Sequence, residues 1–250
     1  MTKYNFSGKT ILITGASSGI GRNCAELLSS FGARLIITGK TSEKLEETFQ
    51  HLKGENHIKF VADLTNENEI DELINILPEI NGFVHSAGIS TITPVRFIKQ
   101  KQIRDIFSLN FESALLIVSK ALAKKKIAKG GSLVFISSLV TTNPMFGGAL
   151  YCSSKMALEG LSKTLAIELT PQLIRSNCIS PAYVFSPMVE KAKEMMSEEF
   201  IEKFKSMHPR GFGFPEDVSN IILSLLSEDS KWINGQNLNL GAFNINIPSL

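Results

Sequence analysis

The sequence predicts an α/β fold in which a doubly wound parallel sheet of about seven strands carries helices on both faces. Short β-branched, nearly continuous apolar runs alternate with longer segments of helical periodicity along the 250 residues. Continuous apolar runs are typical of strands covered on both faces, as in parallel sheets. No internal repeat, low-complexity tract or linker interrupts the pattern. We therefore expect a single domain over residues 1–250.

Each apolar run predicts a strand, and each periodic segment between runs predicts a helix. The predicted strands cover 10–14, 34–38, 58–61, 82–85, 132–137, 175–179 and 237–240. The predicted helices cover 19–31, 42–53, 66–77, 99–127, 151–169 and 215–226. This order is the one that right-handed crossover connections produce.

Composition narrows the classes of function. The 26 basic and 24 acidic residues give a net charge of +2, so we expect no nucleic-acid partner. We find no apolar run long enough for a bilayer and no secretory signal in the polar segment 1–9, so we expect no membrane. Three scattered cysteines form no metal-ligand spacing and leave one thiol unpaired in any disulfide scheme. We expect a cytoplasmic protein without a metal site.

The first predicted strand runs into a glycine-rich turn, T-G-A-S-S-G-I-G over 14–21, that opens a helix. Glycines permit a tight turn and close approach of backbone amides to a phosphate, and the helix N-terminus adds a positive dipole end. This placement favours a nucleotide site in a Rossmann-type fold over a plain strand–helix turn. The residues expected to bind the cofactor here are Gly15, Ser17, Ser18, Gly19, Ile20 and Gly21.

The residues that follow the second and third strands indicate how the adenosine half of the cofactor would be bound. Lys40 stands where an acidic residue would hold the ribose of NAD, so NADP(H) is preferred and NAD(H) is the alternative. After the third strand, Asp63 precedes Leu64 and Thr65. Asp63 or Thr65 could cap the next helix, or Asp63 with Leu64 could contact the adenine.

Tyr151 and Lys155 lie four residues apart, so on a helix they share one face. A neighbouring ammonium lowers the pKa of a phenol, which makes Tyr151 a candidate general acid or base. Ser138 ends a buried strand, where ligands bind in open α/β sheets. Asn110 falls on an apolar helix stripe and is either a satisfied core amide that bends the helix or an anchor for a proton-relay water.

These residues resemble the short-chain dehydrogenase/reductase family over nearly the whole chain. Segment 14–21 is similar to its T-G-x-x-x-G-x-G loop, and 85–88, H-S-A-G, to its N-N-A-G motif with both asparagines replaced. Segment 180–186 resembles P-G-x-x-x-T with Ala182 in place of the glycine, and 209–218 with 233–236 resembles the C-terminal signature. The catalytic set of the family is matched by Asn110, Ser138, Tyr151 and Lys155.

The resemblance implies an oxidoreductase that reduces a carbonyl to an alcohol with NADPH, with 3-oxoacyl thioesters as one substrate class. Tyr151 would protonate the oxygen, Ser138 would orient it, Lys155 would hold the cofactor ribose and lower the Tyr151 pKa, and Asn110 would position water. The remaining cofactor contacts it implies are Ser86, Ala87, Gly88, Tyr151, Lys155, Pro181, Val184 and Ser186. A helical segment near 187–208 would cover the substrate, and a homotetramer or dimer is expected.

Two alternatives remain at this point. The first is an NAD(P)-dependent sugar, sterol or polyol dehydrogenase. The second is a non-catalytic nucleotide-binding scaffold, which the replaced N-N-A-G asparagines and Ala182 would permit.

Overall fold

A computed structural model of the protein describes residues 4–185 and 211–241, and these residues form one sheet with helices on both faces. All seven strands run parallel in the order β3-β2-β1-β4-β5-β6-β7, which confirms the predicted fold class. The strands are β1 (Thr10–Thr14), β2 (Arg34–Gly39), β3 (Ile58–Val61), β4 (Ile80–His85), β5 (Ile127–Ile136), β6 (Arg175–Pro181) and β7 (Asn237–Leu240).

Helices cover the sheet on both faces. They are α1 (Gly19–Ser30), α2 (Ser42–His51), α3 (Glu67–Ile76), α4 (Gln100–Phe107), α5 (Ser113–Ala123), α6 (Ala149–Glu168) and α7 (Pro215–Leu226). The first core holds buried residues of α1, α2 and α7, and the second holds buried residues of α3, α5 and α6. Successive strand residues alternate between the two, since Ile11 and Ile13 enter the first core and Leu12 the second. Burial on both sides explains why the strands read as unbroken apolar runs.

The structure corrects the predicted helix over 99–127. That segment is interrupted by a π-helical turn, Ser108–Glu112, between α4 and α5. The helix ends at Ala123, because Lys125 adopts the left-handed conformation with φ of 53°. Strand β5 then begins at Ile127, five residues before its predicted start, and pairs there with Ile80 of β4.

The structure also corrects the prediction that no apolar stretch is long enough to cross a membrane. The continuous helical stretch Gln100–Ala123 is 24 residues long and contains an 18-residue window with a mean hydropathy of 1.4, so length and composition alone would allow it to cross a bilayer. Core helices of globular proteins pass the same test. Ala114, Ile117 and Val118 of this stretch are buried in the second core beneath the sheet, which accounts for its apolar character.

Candidate active site

The strand order places a crevice at the carboxyl edge of the sheet, between β1 and β4, where successive connections leave in opposite directions. A cavity of about 820 Å³ lies along this edge. Many of the site residues predicted from the sequence line this cavity. They are Gly15, Ser17, Ser18, Gly19, Ile20, Lys40, Asp63, Leu64, Ser86, Ala87, Gly88, Ser138, Tyr151, Lys155, Pro181 and Val184. The topology thus brings together residues that the sequence separates by up to 169 positions, from Gly15 to Val184.

The glycine-rich turn fits the crevice only because it lacks side chains. Gly15 has a φ of +66°, and a Cβ on it would lie 2.6 Å from the backbone nitrogen of Ala87, two residues after β4. A Cβ on Gly21 would collide with the carbonyl oxygen of Gly15, so α1 starts in direct contact with the turn. The first turn of α1 therefore presents its unpaired N–H groups at the cavity wall.

Two residues that were not predicted from the sequence, Thr48 and Arg22, donate hydrogen bonds to the carbonyl oxygens of this turn. The Thr48 hydroxyl of α2 donates to the carbonyl oxygen of Ala16 at 2.9 Å. Arg22 donates to the carbonyl oxygen of Ser17 at 3.0 Å and pairs with Glu47 at 2.9 Å. A cation in the first turn of α1 opposes the helix dipole, and that conflict was the sequence feature that could have identified it. These bonds fix the carbonyl groups of Ala16 and Ser17, and the Ala16 N–H donates to the carbonyl oxygen of Thr38 at 3.1 Å, so the turn is held at both neighbouring elements.

At the adenosine end of the cavity, Lys40 and Asp63 form an ion pair of 2.6 Å. Burial alone would raise the pKa of Asp63, but hydrogen bonds from Lys40 and Thr65 outweigh it and lower the pKa below 3.8. The Asp63 hydrogen bond raises the pKa of Lys40. The structure corrects the capping alternative, since Asn66 caps α3 while Asp63 accepts bonds from Thr65 within the preceding turn.

The segment after β4 lies against the catalytic candidates. Ser86, Ala87 and Gly88 line the cavity, and Ala87 N–H donates to Thr14 Oγ1 at 3.3 Å. A Cβ on Gly88 would lie 3.2 Å from Asn110 Oδ1 and 3.3 Å from Lys155 Nζ. The glycine therefore permits both polar groups to approach the backbone here.

Asn110 is fully buried in the π-helical turn, and both ends of its amide are bonded. Its Nδ2 donates to Ile89 O and to Ser154 Oγ, each at 2.9 Å, and its Oδ1 accepts from Ile89 N at 2.8 Å. Ser154 Oγ in turn donates to the carbonyl oxygen of Tyr151 at 2.8 Å. Asn110 thereby connects the loop after β4 to the first turns of α6, and its side-chain bonds are those of the satisfied core amide. Asn110 itself does not line the cavity.

Tyr151, Ser138 and Lys155 occupy one wall of the cavity. Ser138 lies beside the phenol of Tyr151 and, as a hydrogen-bond partner, acts to lower its pKa. Lys155 Nζ donates to the carbonyl oxygen of Ile136 at 2.8 Å and lies 5.7 Å from the centroid of the Tyr151 ring. The two helix residues share one face, as their spacing predicts, and Ser138 at the end of β5 completes the group.

The predicted effect of Lys155 on Tyr151 is wrong for this structure. Burial raises the Tyr151 pKa to about 12, and the Ser138 hydrogen bond offsets only part of that rise. Burial also lowers the pKa of Lys155 to about 8. The sequence spacing showed that the two groups are neighbours, but it could not show how much water burial removes from each.

Other predicted features extend beyond the described residues or were missed. Ser186 and the segment 187–208 lie outside the described residues. Helix α4 contributes Lys101 and Arg104 to the cavity lining, and neither was predicted from the sequence. Their own three-residue spacing, which places both cations on one face of a helix, was the sequence feature that could have grouped them.

Comparison with known proteins agrees with this arrangement. The sequence matches a family model described as enoyl-(acyl carrier protein) reductase over residues 15–241. The 3-oxoacyl-(acyl-carrier-protein) reductase FabG of Rickettsia felis is 33% identical over 237 residues, which cover 94% of this chain and 96% of that protein. The chain belongs to the short-chain dehydrogenase/reductase family. It is an oxidoreductase of the NAD(P)-dependent dehydrogenase/reductase type that acts on a carbonyl or an alcohol.

Within the short-chain dehydrogenase/reductase family the relatives are diverse. The D-erythrulose reductase of Gallus gallus is 30% identical over 243 residues, covering 94% of each chain. A short-chain type dehydrogenase/reductase from Mycobacterium ulcerans superposes with a TM-score of 0.87 at 29% identity, covering 94% of this chain and 89% of that one. The family is therefore established, and the substrate has to be inferred from the site.

The residues present fit a nicotinamide dinucleotide. The cradle at Gly15 admits no Cβ, and the α1 N-terminus and Lys40 offer donors and positive charge to phosphates. Tyr151 and Lys155 stand at the other end of the same cavity. The cavity volume of about 820 Å³ lies within the range of sites for small molecules and cofactors.

Proposed function

We propose that the protein is an NADPH-dependent reductase that converts the carbonyl group of a 3-oxoacyl thioester to an alcohol, with Tyr151 as proton donor. The observation that carries this proposal is that Tyr151, Ser138 and Lys155 line one cavity together with the glycine-rich turn. NADPH, when bound, supplies the hydride that reduces the carbonyl carbon.

The residues of this chain donate the proton to the substrate and stabilise the charge that its transfer leaves behind. With a pKa of about 12, the phenol of Tyr151 keeps its hydrogen at neutral pH and can give it to the substrate oxygen. Ser138 stabilises the resulting phenolate, because its hydrogen bond favours the charged form. Lys155, whose pKa of about 8 leaves it mainly protonated at pH 7, adds a positive charge near the ring. Asn110 holds the first turns of α6 in place, because it donates to Ser154 Oγ, which in turn donates to the carbonyl oxygen of Tyr151.

Apolar side chains on two loops, one of which reaches the cavity through Ile89, support an acyl substrate. Ile89, which lines the cavity, and Ile92 are both partly exposed apolar side chains on the loop after β4. Phe146, 84% exposed, lies on the loop before α6, and the two loops are joined by the Thr93 N–H bond to Gly147 O at 2.8 Å. A sugar is the second candidate substrate, since one relative is named D-erythrulose reductase.

We also propose a cytoplasmic homo-oligomer, a dimer or a tetramer, that binds neither nucleic acid nor membrane. The free thiols of Cys24, Cys152 and Cys178 favour a reducing compartment. Exposed apolar side chains on the outer helices support pairing, and they include Ile103, Leu115 and Met156.

The test is NADPH and NADH oxidation with a panel of a 3-oxoacyl thioester, a ketose and a cyclic ketone. We expect the thioester with NADPH to be turned over fastest. Lys40→Ala should raise the KM for NADPH roughly tenfold and leave that for NADH unchanged, because a charge-assisted phosphate contact is lost. Lys9→Ala, a lysine outside the cavity, is the matched control. Turnover of no carbonyl in the panel with either cofactor would refute the proposal.

A further inference from the structure

Glu159, on α6, carries a carboxylate that the proposed chemistry does not use. The side chain is half-buried, and its Oε1 accepts a hydrogen bond from Ser137 Oγ at 2.7 Å. Ser180 Oγ lies 3.3 Å from the same oxygen. In the described part of the chain, Glu159 forms no ion pair. Withdrawing a carboxylate from water without a cation costs free energy, so its place calls for a specific explanation.

The two serines that reach this oxygen stand at the carboxyl ends of neighbouring strands. Ser137 directly follows β5, Ser180 lies in β6, and both are buried. The Ser137 N–H donates to the carbonyl oxygen of Ile179 at 2.8 Å, which continues the pairing of the two strands. The Ser180 hydroxyl also lies 2.8 Å from Asn237 Oδ1, so its single hydrogen is shared. The shorter bond to Glu159 is therefore the one from Ser137.

Three successive residues at the end of β5 each lie beside one residue of α6. The pairs are Ile136 with Lys155, Ser137 with Glu159, and Ser138 with Tyr151. The three helix residues are four apart and share one face. Hydrogen bonds of 2.8 Å and 2.7 Å join the first two pairs, and the third pair lines the cavity. The Ser137–Glu159 bond is thus the last of these hydrogen bonds before Ser138.

We propose that Glu159 is a positioning residue that holds the end of β5 against α6 and thereby sets the place of Ser138 relative to Tyr151. The inference rests on the proposed function, because it assigns to Ser138 a role in the proton transfer from Tyr151. Glu159 itself does not line the cavity. Without it, the Ser137 hydroxyl keeps only a 3.3 Å approach to the carbonyl oxygen of Lys155. Loss of Glu159 should therefore slow the chemical step and leave the binding of NADPH intact.

Two substitutions of similar length separate the acceptor oxygen from the bulk of the side chain. Glu159→Gln keeps an oxygen for Ser137, whereas Glu159→Met removes it. We expect Glu159→Met to lower kcat about tenfold with an unchanged KM for NADPH, the effect of one lost hydrogen bond to a charged group, and Glu159→Gln to stay within about threefold of the wild type. Glu168→Met, an exposed glutamate of the same helix, is the matched control and should leave kcat unchanged. An unchanged kcat in Glu159→Met, or an equal loss in Glu159→Gln, overturns the proposal.

Ser137→Ala tests the same bond from its donor and keeps the inference testable if Glu159→Met fails to fold. We expect about the same tenfold loss of kcat, and no further loss when both substitutions are combined, because each removes the same bond. An unchanged kcat in Ser137→Ala, or additive losses, overturns the proposal.

A crystal structure of either variant without substrate shows the effect directly. We expect Ser138 to be displaced from its wild-type place beside Tyr151 by more than about 0.5 Å, the tolerance of a catalytic constellation. An unmoved Ser138 overturns the proposal. Because the place of Ser138 is read without turnover, a failure here is distinct from failure of the carbonyl panel.

Discussion

Replacing Gly15 by alanine tests whether the turn is built around a cofactor. At a φ of +66° an alanine costs about 1–2 kcal/mol of backbone strain. Its Cβ would also lie 2.6 Å from Ala87 N and 2.8 Å from Ser86 C, both backbone atoms of the segment after β4. Forcing them apart adds about 1–3 kcal/mol, as overpacked cores do. The two costs together are about 2–5 kcal/mol, so at about 2–4 °C per kcal/mol for a chain of this size we expect Tm to fall by about 4–20 °C.

Gly8→Ala is the matched control for this change. Gly8 has a similar φ of +75°, but a Cβ there would meet nothing within 4 Å. Its Tm should therefore fall by only about 2–8 °C, the effect of strain alone. Differential scanning calorimetry gives both Tm values, and calorimetric titration gives the Kd for NADPH, which we expect to rise at least tenfold for Gly15→Ala only. Equal Tm shifts with unchanged Kd in both variants would refute the reasoning.

Two further predictions concern stability and the support of the turn. The pKa of His85 is about 3 in the folded protein against 6.5 unfolded, so roughly 4–5 kcal/mol of stability present above pH 6.5 should be lost as the pH falls toward 3. Urea unfolding between pH 4 and 7 should show a flatter pH dependence for His85→Asn than for His57→Asn, and parallel curves would contradict this. Thr48→Val removes the partner of Ala16 O and of Arg22 Nε, and should cost about 1–2 kcal/mol in the same assay while raising the Kd for NADPH. An unchanged Kd would show that the turn needs no such support.

The fold could be predicted from the sequence because strands buried on both faces have continuous apolar runs, and such runs are visible in the sequence itself. The runs centred on Leu12 and Ile36 are apolar at each of three successive positions, since neighbouring side chains enter one or the other of the two cores. The interruption of the long helix has no comparable pattern in the sequence. The turn around Asn110 is π-helical, and its amide bonds Ile89 and Ser154, partners 21 and 44 residues away that only the tertiary structure supplies.

The candidate site was predictable in identity but not in electrostatics. Tyr151, Lys155 and Ser138 were identified by spacing and by position after a strand, and the structure places them on one cavity wall. The direction of the Tyr151 pKa depends on burial, which no spacing reveals. The pairing of Lys40 with Asp63 likewise joins the ends of two strands that are neighbours only in the folded sheet.

The most direct test of the central claim, proton donation by Tyr151, is the single-turnover rate of NADPH oxidation by Tyr151→Phe with the best carbonyl substrate of the panel. The substitution removes one hydroxyl and keeps the ring that packs on the cavity wall. We expect an unchanged Kd for NADPH and a rate lowered about 10²–10⁴-fold, the usual contribution of a general acid. A rate close to that of the wild type would show that another group supplies the proton.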